Sequence, residues 1–161
     1  MEGAAILARL GARLGETHAH RGDATAVVGR EALLDTLREC RDAPELAFEV
    51  LMDLTAVDLV AYPGREDGPR FEVVYHLFSI THNHRLRVKV RVEEDDPVVP
   101  SATALWPIAD WLEREVWDMF GVRFEGHPDL RRLLLYEAFV GHPLRKDYPV
   151  NRRQPLVGPR T

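Results

Sequence analysis

Glu113, Arg114, Glu115 and Asp118 fall within six residues, and His127 and Arg131 follow closely. Carboxylates, a guanidinium and an imidazole are the materials of acid–base catalysis, which needs converging groups whose proton affinities are pushed apart by their surroundings. If the segment is helical, Arg114 and Asp118 stand four residues apart and can pair. Glu115 and Asp118 stand three apart and repel unless a cation lies between them. Arg131 or Arg132 is placed to be that cation. The commoner use of such a set is an ion-pair cluster that fixes one segment against another, and that is the expectation here.

A second feature is the phrase Gly-His-Pro, at 126–128 and again at 141–143, followed closely each time by Leu-Arg. Proline biases the histidine before it toward extended backbone, and the glycine permits a change of direction. Each phrase therefore makes a bend that presents an imidazole, with Arg131, Arg132, Arg145 and Lys146 free to reach carboxylates or carbonyl oxygens. Two staples on an extended segment fit this better than two active sites. The enzymatic alternative is a metal-dependent hydrolase built on His127, His142 and nearby carboxylates. His18 and His20, like His82 and His84, are i,i+2 pairs without a carboxylate at ligand spacing. HExxH, CxxC, GxGxxG, GxxxxGK[ST] and GxSxG are all absent from the sequence.

The elements that must position these residues can be read from periodicity. Residues 4–14 and 30–40 carry apolar residues at helical spacing, and Cys40, the single cysteine, reads as a core thiol on the second helix. TAVV at 25–28 is strand-like, and LAFEVLMDLTAVDL suggests a strand running into a less regular stretch. YPGREDGPR at 62–70 has loop composition. FEVVYHLFSI (71–80) and RLRVKVRV (85–92) read as a hairpin across THNH. The second strand puts Leu86, Val88, Val90 and Val92 on one face and Arg85, Arg87, Lys89 and Arg91 on the other, expected to be solvated. RNA binding through Arg87 and Lys89 is the alternative for that stripe, but no aromatic residue is interleaved for a base to stack on. A helix is expected from about Thr103–Trp106 to Phe120, ended by Gly121, with Pro107 in its first turn. Trp111 and Trp117 flank its apolar stripe of Leu105, Ile108, Leu112, Val116 and Met119, which makes a partner surface plausible.

The chain has 161 residues, 45% hydrophobic and 29% charged, which fits one domain of α+β class. The expected architecture is a small domain with a mainly antiparallel sheet and flanking helices. No apolar run approaches the ~20 residues needed to cross a bilayer, and the amino terminus lacks the basic region of a secretory signal. Residues 1–122 hold 13 Lys/Arg against 22 Asp/Glu, a net −9, while residues 123–161 hold 8 against 4, a net +4. An α/β body at 1–122 followed by an extended basic tail at 123–161 is the expected division. DLRRLLLYEAF is its one candidate for a short helix or turn.

These residues also carry a resemblance. Glu113-Arg114-Glu115, Asp118-Met119-Phe120, His127, Arg131 and Leu133-Leu134, at their spacing, resemble the signature of the C-subunit family of respiratory NADH–quinone oxidoreductase, complex I. LWPIADW, GHPDLRRLL, GHPLRKDYP, DLTAVD and the segment at 71–92 are similar too, so the likeness spans about residues 30–150. It implies a scaffold subunit in the hydrophilic arm of the complex beside the quinone-reducing module, on the cytoplasmic side of the membrane. It implies no cofactor in this chain, with iron–sulfur clusters and FMN held by partner subunits. Its partners would be the D-subunit homologue, against which the tail lies, and the B-subunit homologue. The equivalent subunit of a membrane-bound hydrogenase or another quinone-linked dehydrogenase is the alternative within this class. On this reading Glu113, Arg114, Glu115, Asp118, His127 and Arg131 fix the helix-to-tail junction. His142, Arg145, Lys146 and Asp147 would dock the tail on a partner.

Overall fold

Alternation decides the sheet. In the computed structural model, which describes residues 3–11, 14–64 and 68–158, Phe71–Ser79 (β4) and His84–Val92 (β5) form the antiparallel hairpin that the sequence suggests. Val50–Asp58 (β3) pairs antiparallel with β4, with a register shift between Leu51 and Asp53. On the other side Asp23–Val28 (β2) runs parallel to β5, and Leu14–His20 (β1) closes the edge antiparallel to β2. The five strands thus lie in the order β1-β2-β5-β4-β3.

Inward residues of every second position, among them Ala26, Leu54, Tyr75, Leu77, Val88 and Val90, join one buried cluster with the helices. Gly3–Leu10 (α1) supplies Ile6 and Leu10 against β2 and β5, and Leu33–Asp42 (α2) supplies Leu33, Leu37 and Cys40. Ala109–Phe120 (α3) lies along β3 and buries Val116 and Met119. Burial pushes the Cys40 thiol up to about 12, so it is an inert core group.

Several expectations change in detail, each for a local reason. The first helix stops at Leu10 because Gly11 takes a left-handed conformation, φ 59°. Leu14, expected on that helix, opens β1 instead; residues 12–13 lie outside the described residues. In LAFEVLMDLTAVDL the order is reversed. Ala47 has φ 42° and ends a turn in which Phe48 N–H bonds Cys40 O, and the regular strand begins only at Val50. α3 starts at Ala109, later than expected. A separate turn on Ala102 precedes Pro107, a residue that disfavours helical backbone in the one before it, and Trp106 lies outside the regular helix. DLRRLLLYEAF, expected as a short helix or turn, holds bends and turns and no helix. Residues 65–67 of the 62–70 loop lie outside the described residues.

The basic stripe on β5 is only partly solvated: Arg85 is exposed, Arg87, Lys89 and Arg91 are half-buried, and two of them are paired. Lys89 bonds the Glu72 carboxylate at 2.6 Å, and Arg91 bridges Glu72 and Glu16. Glu72 is itself buried, so the stripe is partly neutralised across the β4–β5 ladder. Beyond residue 122, Arg123–Glu125 (β7) pairs in parallel with Val98–Pro100 (β6), and Phe124 enters the core. Body structure therefore continues three residues into the segment expected as tail.

Leu37 of α2 is fully buried in the core. Leu37→Ala should lower the unfolding free energy by about 2–5 kcal/mol without changing the denaturant dependence, as measured by urea unfolding followed by circular dichroism.

Candidate interaction site: the seam between α3 and the tail

α3 places Asp110, Arg114 and Asp118 at four-residue steps, so they form one polar stripe along the helix. The tail runs along that stripe from the helix start to its end. At the first step His127 Nε2 donates to the Asp110 carbonyl oxygen at 3.1 Å, while its Nδ1 accepts the Asp129 N–H at 3.0 Å. Those partners fix the imidazole as the Nε2–H tautomer. At the second step the buried Arg114 donates to the carbonyl oxygens of Arg131 and Arg132, each at 3.2 Å, with its guanidinium over the Trp111 ring at 5.1 Å.

The third step carries most bonds. Asp118 is fully buried, and its Oδ2 accepts the N–H groups of Leu133, Leu134 and Leu135 at 3.1, 2.9 and 2.9 Å. Its Oδ1 accepts Arg132 Nη1 at 2.5 Å. Arg132 goes on to the carbonyl oxygens of Phe139 and Gly141, at 2.9 and 3.3 Å, and lies over the rings of Trp117 and Phe139. Burial alone would raise the Asp118 carboxyl, but the three backbone donors and Arg132 hold it below the usual carboxylate value.

The second Gly-His-Pro caps the helix. Gly121 N–H closes on Trp117 O at 2.9 Å, with Gly121 at φ 79°. His142 Nδ1 then donates to Asp118 O at 3.0 Å, Leu144 N–H to Met119 O at 3.1 Å and Arg145 Nε to Phe120 O at 2.6 Å. Each of the last four carbonyls, which an isolated helix leaves open, has a donor, and the Arg145 charge suits the negative helix end. A side chain at Gly121 would stand 2.7 Å from both His142 Nε2 and Arg145 Nη2. His142 has its proton affinity lowered, chiefly by burial and further by Arg145 and Arg132, so the ring stays neutral and donates from Nδ1.

A last node ties the tail to the sheet. The buried Arg70 holds both oxygens of Asp58, at 2.8 and 3.1 Å, and both of Asp147, at 2.8 and 3.0 Å, and it also pairs with Glu94. Asp58 additionally accepts the Lys146 and Val60 N–H groups.

The structure brings Arg114, Asp118, His127, His142 and Arg145 into one seam and adds Asp147 and the Lys146 backbone at its end. The expected Arg114–Asp118 pair is not formed, because each side chain turns to the tail's backbone. Arg131 contributes its carbonyl oxygen; its guanidinium is exposed beside Asp129, and Arg132 is the cation at Asp118. Glu115 is exposed, and Glu113 is buried toward the β6–α3 connection, away from the seam. Asp110, Asp58 and Arg70 were missed. The four-residue spacing of Asp110, Arg114 and Asp118 was a readable signal; nothing local marks Asp58 and Arg70 as partners of residue 147. Among the described residues no group of three or more His, Cys, Asp or Glu side chains is placed to hold a metal ion. The outer surface of helix and tail mixes charged residues, among them Glu115, Arg131, Glu137 and Lys146, with large apolar ones: Ile108, Trp111, Leu134, Val140 and Leu144 are each half or more exposed.

Residues 26–154 match the family model described as respiratory-chain NADH dehydrogenase, 30 Kd subunit. The chain is 51% identical over 150 residues to the NADH-quinone oxidoreductase C subunit of Ralstonia pickettii, covering 92% of this chain and 75% of that one. It is 47% identical over 142 residues to the corresponding C subunit of Acidithiobacillus ferrooxidans, covering 88% and 70%. Among solved structures, the trypsin-resistant fragment of Nqo5 superposes with a TM-score of 0.71 at 34% identity, over 81% of this chain and all of the fragment. A chain of the membrane-bound sulfane sulfur reductase, an archaeal respiratory membrane complex, also gives 0.71, at 26% identity over 92% of this chain and 86% of that one.

Two outcomes follow from the seam. Gly121→Ala should cost about 1–2 kcal/mol in backbone strain alone and, by displacing His142 and Arg145, should speed tryptic cleavage after Arg145 and Lys146 while the body stays intact. In acid the sign is set by Asp118 and Asp58, whose folded values lie below the ordinary one. The stability they supply is present above the ordinary carboxylate value and is lost as pH falls through the folded value. An acid titration should therefore change tryptophan fluorescence at the seam before circular dichroism reports loss of the sheet.

Proposed function

The chain belongs to the respiratory-chain NADH dehydrogenase 30 Kd subunit family, the C-subunit family of NADH–quinone oxidoreductase, and from that premise we propose that it is a non-catalytic scaffold subunit of the hydrophilic arm. Its place is beside the quinone-reducing module. The redox groups, iron–sulfur clusters and FMN, belong to partner subunits on this reading. The observation that carries the proposal is the seam: buried polar groups tie the helix to the tail, while Ile108, Trp111, Leu134, Val140 and Leu144 of that helix and tail stay half or more exposed. Such a surface suits burial against another protein rather than turnover of a substrate.

The tail would dock on the D-subunit homologue, with the B-subunit homologue adjacent. His142, Arg145 and Asp147 serve that docking from behind, by holding the tail extended. Lys146, whose side chain is exposed, and Leu144 would meet the partner directly. No helix among the described residues is long and apolar enough to cross a membrane. Attachment on the cytoplasmic side would then run through the complex. A second reading has a specific observation in its favour: the likeness to a chain of the sulfane sulfur reductase fits an equivalent scaffold role in a related respiratory complex.

The test is a doubly charged tail. Leu144→Glu combined with Lys146→Glu leaves every backbone bond of the seam in place, so the isolated chain should melt as the wild type does. Recovery of assembled complex in a pull-down should fall at least about tenfold, which corresponds to about 1.4 kcal/mol of docking energy. Normal recovery with full NADH–quinone activity would overturn the docking role.

A further inference from the structure

Glu113 stands outside the seam and is the one residue of the Glu-Arg-Glu run whose carboxyl is completely buried. It makes no ion pair among the described residues. Oε1 accepts the Ala102 N–H at 2.6 Å, and Oε2 lies 2.7 Å from Ser101 Oγ. Ser101 Oγ is in turn 2.8 Å from Thr103 Oγ1, in a contact that either hydroxyl can donate, and Thr103 is half-exposed. Across the core, the fully buried Tyr75 of β4 has a hydroxyl without a hydrogen-bond partner, and the charge of Glu113 bears on it. The remaining charged group that bears on Glu113 is Asp110, one turn earlier on α3, which is of the same sign.

A carboxylate buried without a counter-ion is strongly disfavoured, and a neutral carboxyl far less so. We propose that Glu113 is a proton-exchanging lock on the joint between β6 and α3, neutral in the closed body and linked to the surface by the Ser101 and Thr103 hydroxyls. When the carboxyl is neutral, its Oε2–H donates to Ser101 Oγ, and Ser101 passes its own O–H to Thr103. When the carboxyl ionises, its proton passes to Ser101 Oγ as the Ser101 proton passes to Thr103 Oγ1 and the Thr103 proton to water at the surface, which leaves Thr103 donating to Ser101 and Ser101 to the carboxylate. One proton is released for each group ionised, and no heavy atom has to move. The ionised state holds a buried charge with no cation among the described residues paired to it and with Asp110, of the same sign, one turn earlier on the helix, which loosens the joint from which α3 and its tail are hung.

The direction of the pH effect follows. Burial raises the Glu113 carboxyl from its ordinary value of 4.5 to about 7, against the lowering by Ser101 and Ala102. Below the ordinary value both folded and unfolded chains hold the proton, and nothing is lost. Between the two values only the folded chain holds it, so each rise of one pH unit weakens folding by up to about tenfold. Above the folded value the loss levels off.

The experiment is a site-resolved carbon NMR titration of the Glu113 carboxyl in the full wild-type chain, paired with urea unfolding of wild type and Glu113→Gln across the same range. A midpoint near neutrality, with a pH-dependent loss of stability that Glu113→Gln abolishes, is the expected result. Ser101→Ala, which removes a donor to the carboxylate, should shift the midpoint upward. A Glu113 carboxyl that titrates like an exposed glutamate would overturn the proposal, as would wild type and Glu113→Gln losing stability in parallel. The NMR arm stands even if the variant fails to fold.

Discussion

Asp118 organises the carboxyl half of the molecule. It is a carboxylate with no exposure to water, and all four of its bonds go to residues fourteen to seventeen positions away in the chain. Hydrogen bonds to a charged group contribute about 1.5–3 kcal/mol each, so four of them outweigh the cost of burying the charge. Their consequence is geometric. Three consecutive N–H groups aimed at one oxygen hold residues 133–135 in a single turn, and Arg132 is held between Asp118 and the carbonyls of residues 139 and 141. The tail therefore has a fixed course although it contains no helix.

The repeated Gly-His-Pro is explained by the two ends of α3. The first presents its imidazole to a carbonyl near the start of the helix, and the second presents its imidazole to a carbonyl near the end. The two rings use opposite nitrogens for this, Nε2 and Nδ1. In each phrase the glycine takes positive φ, 82° at Gly126 and 104° at Gly141, and so turns the chain just before the histidine. The same physical device is used twice because one extended segment must be pinned at both ends of one helix. With the tail pinned in this way, Leu134, Val140 and Leu144 are left half or more exposed along it.

The hairpin β4–β5, the strand β2 and the end of α3 at Gly121 were legible because each rests on local rules: alternation, β-branching and a left-handed glycine. β1 was not, since LGETHAH has neither an apolar face nor β-branched residues beyond Thr17, and it is a strand only because β2 offers an edge. β6 and β7 were hidden for a similar reason, being three residues each and paired in parallel across the whole of α3. At the site, the residue types were legible and their partners were not. Arg114, Asp118, His127 and Arg145 bond mainly to backbone atoms, which every residue possesses and which leave no pattern in side-chain identity. The contrast between Arg131 and Arg132 makes the point: adjacent arginines, one exposed and one central, told apart only by which way the turn faces.

The most direct measurement of the central claim is amide hydrogen exchange on the isolated wild-type chain, read at Leu133, Leu134, Leu135 and Leu144. Pinning by Asp118 and by the end of α3 predicts that these four amides exchange as slowly as those in the middle of α3, although they lie in no helix or strand. Exchange at the rate of an unfolded peptide, with α3 itself still protected, would contradict the account and leave the tail without its own course in the free protein.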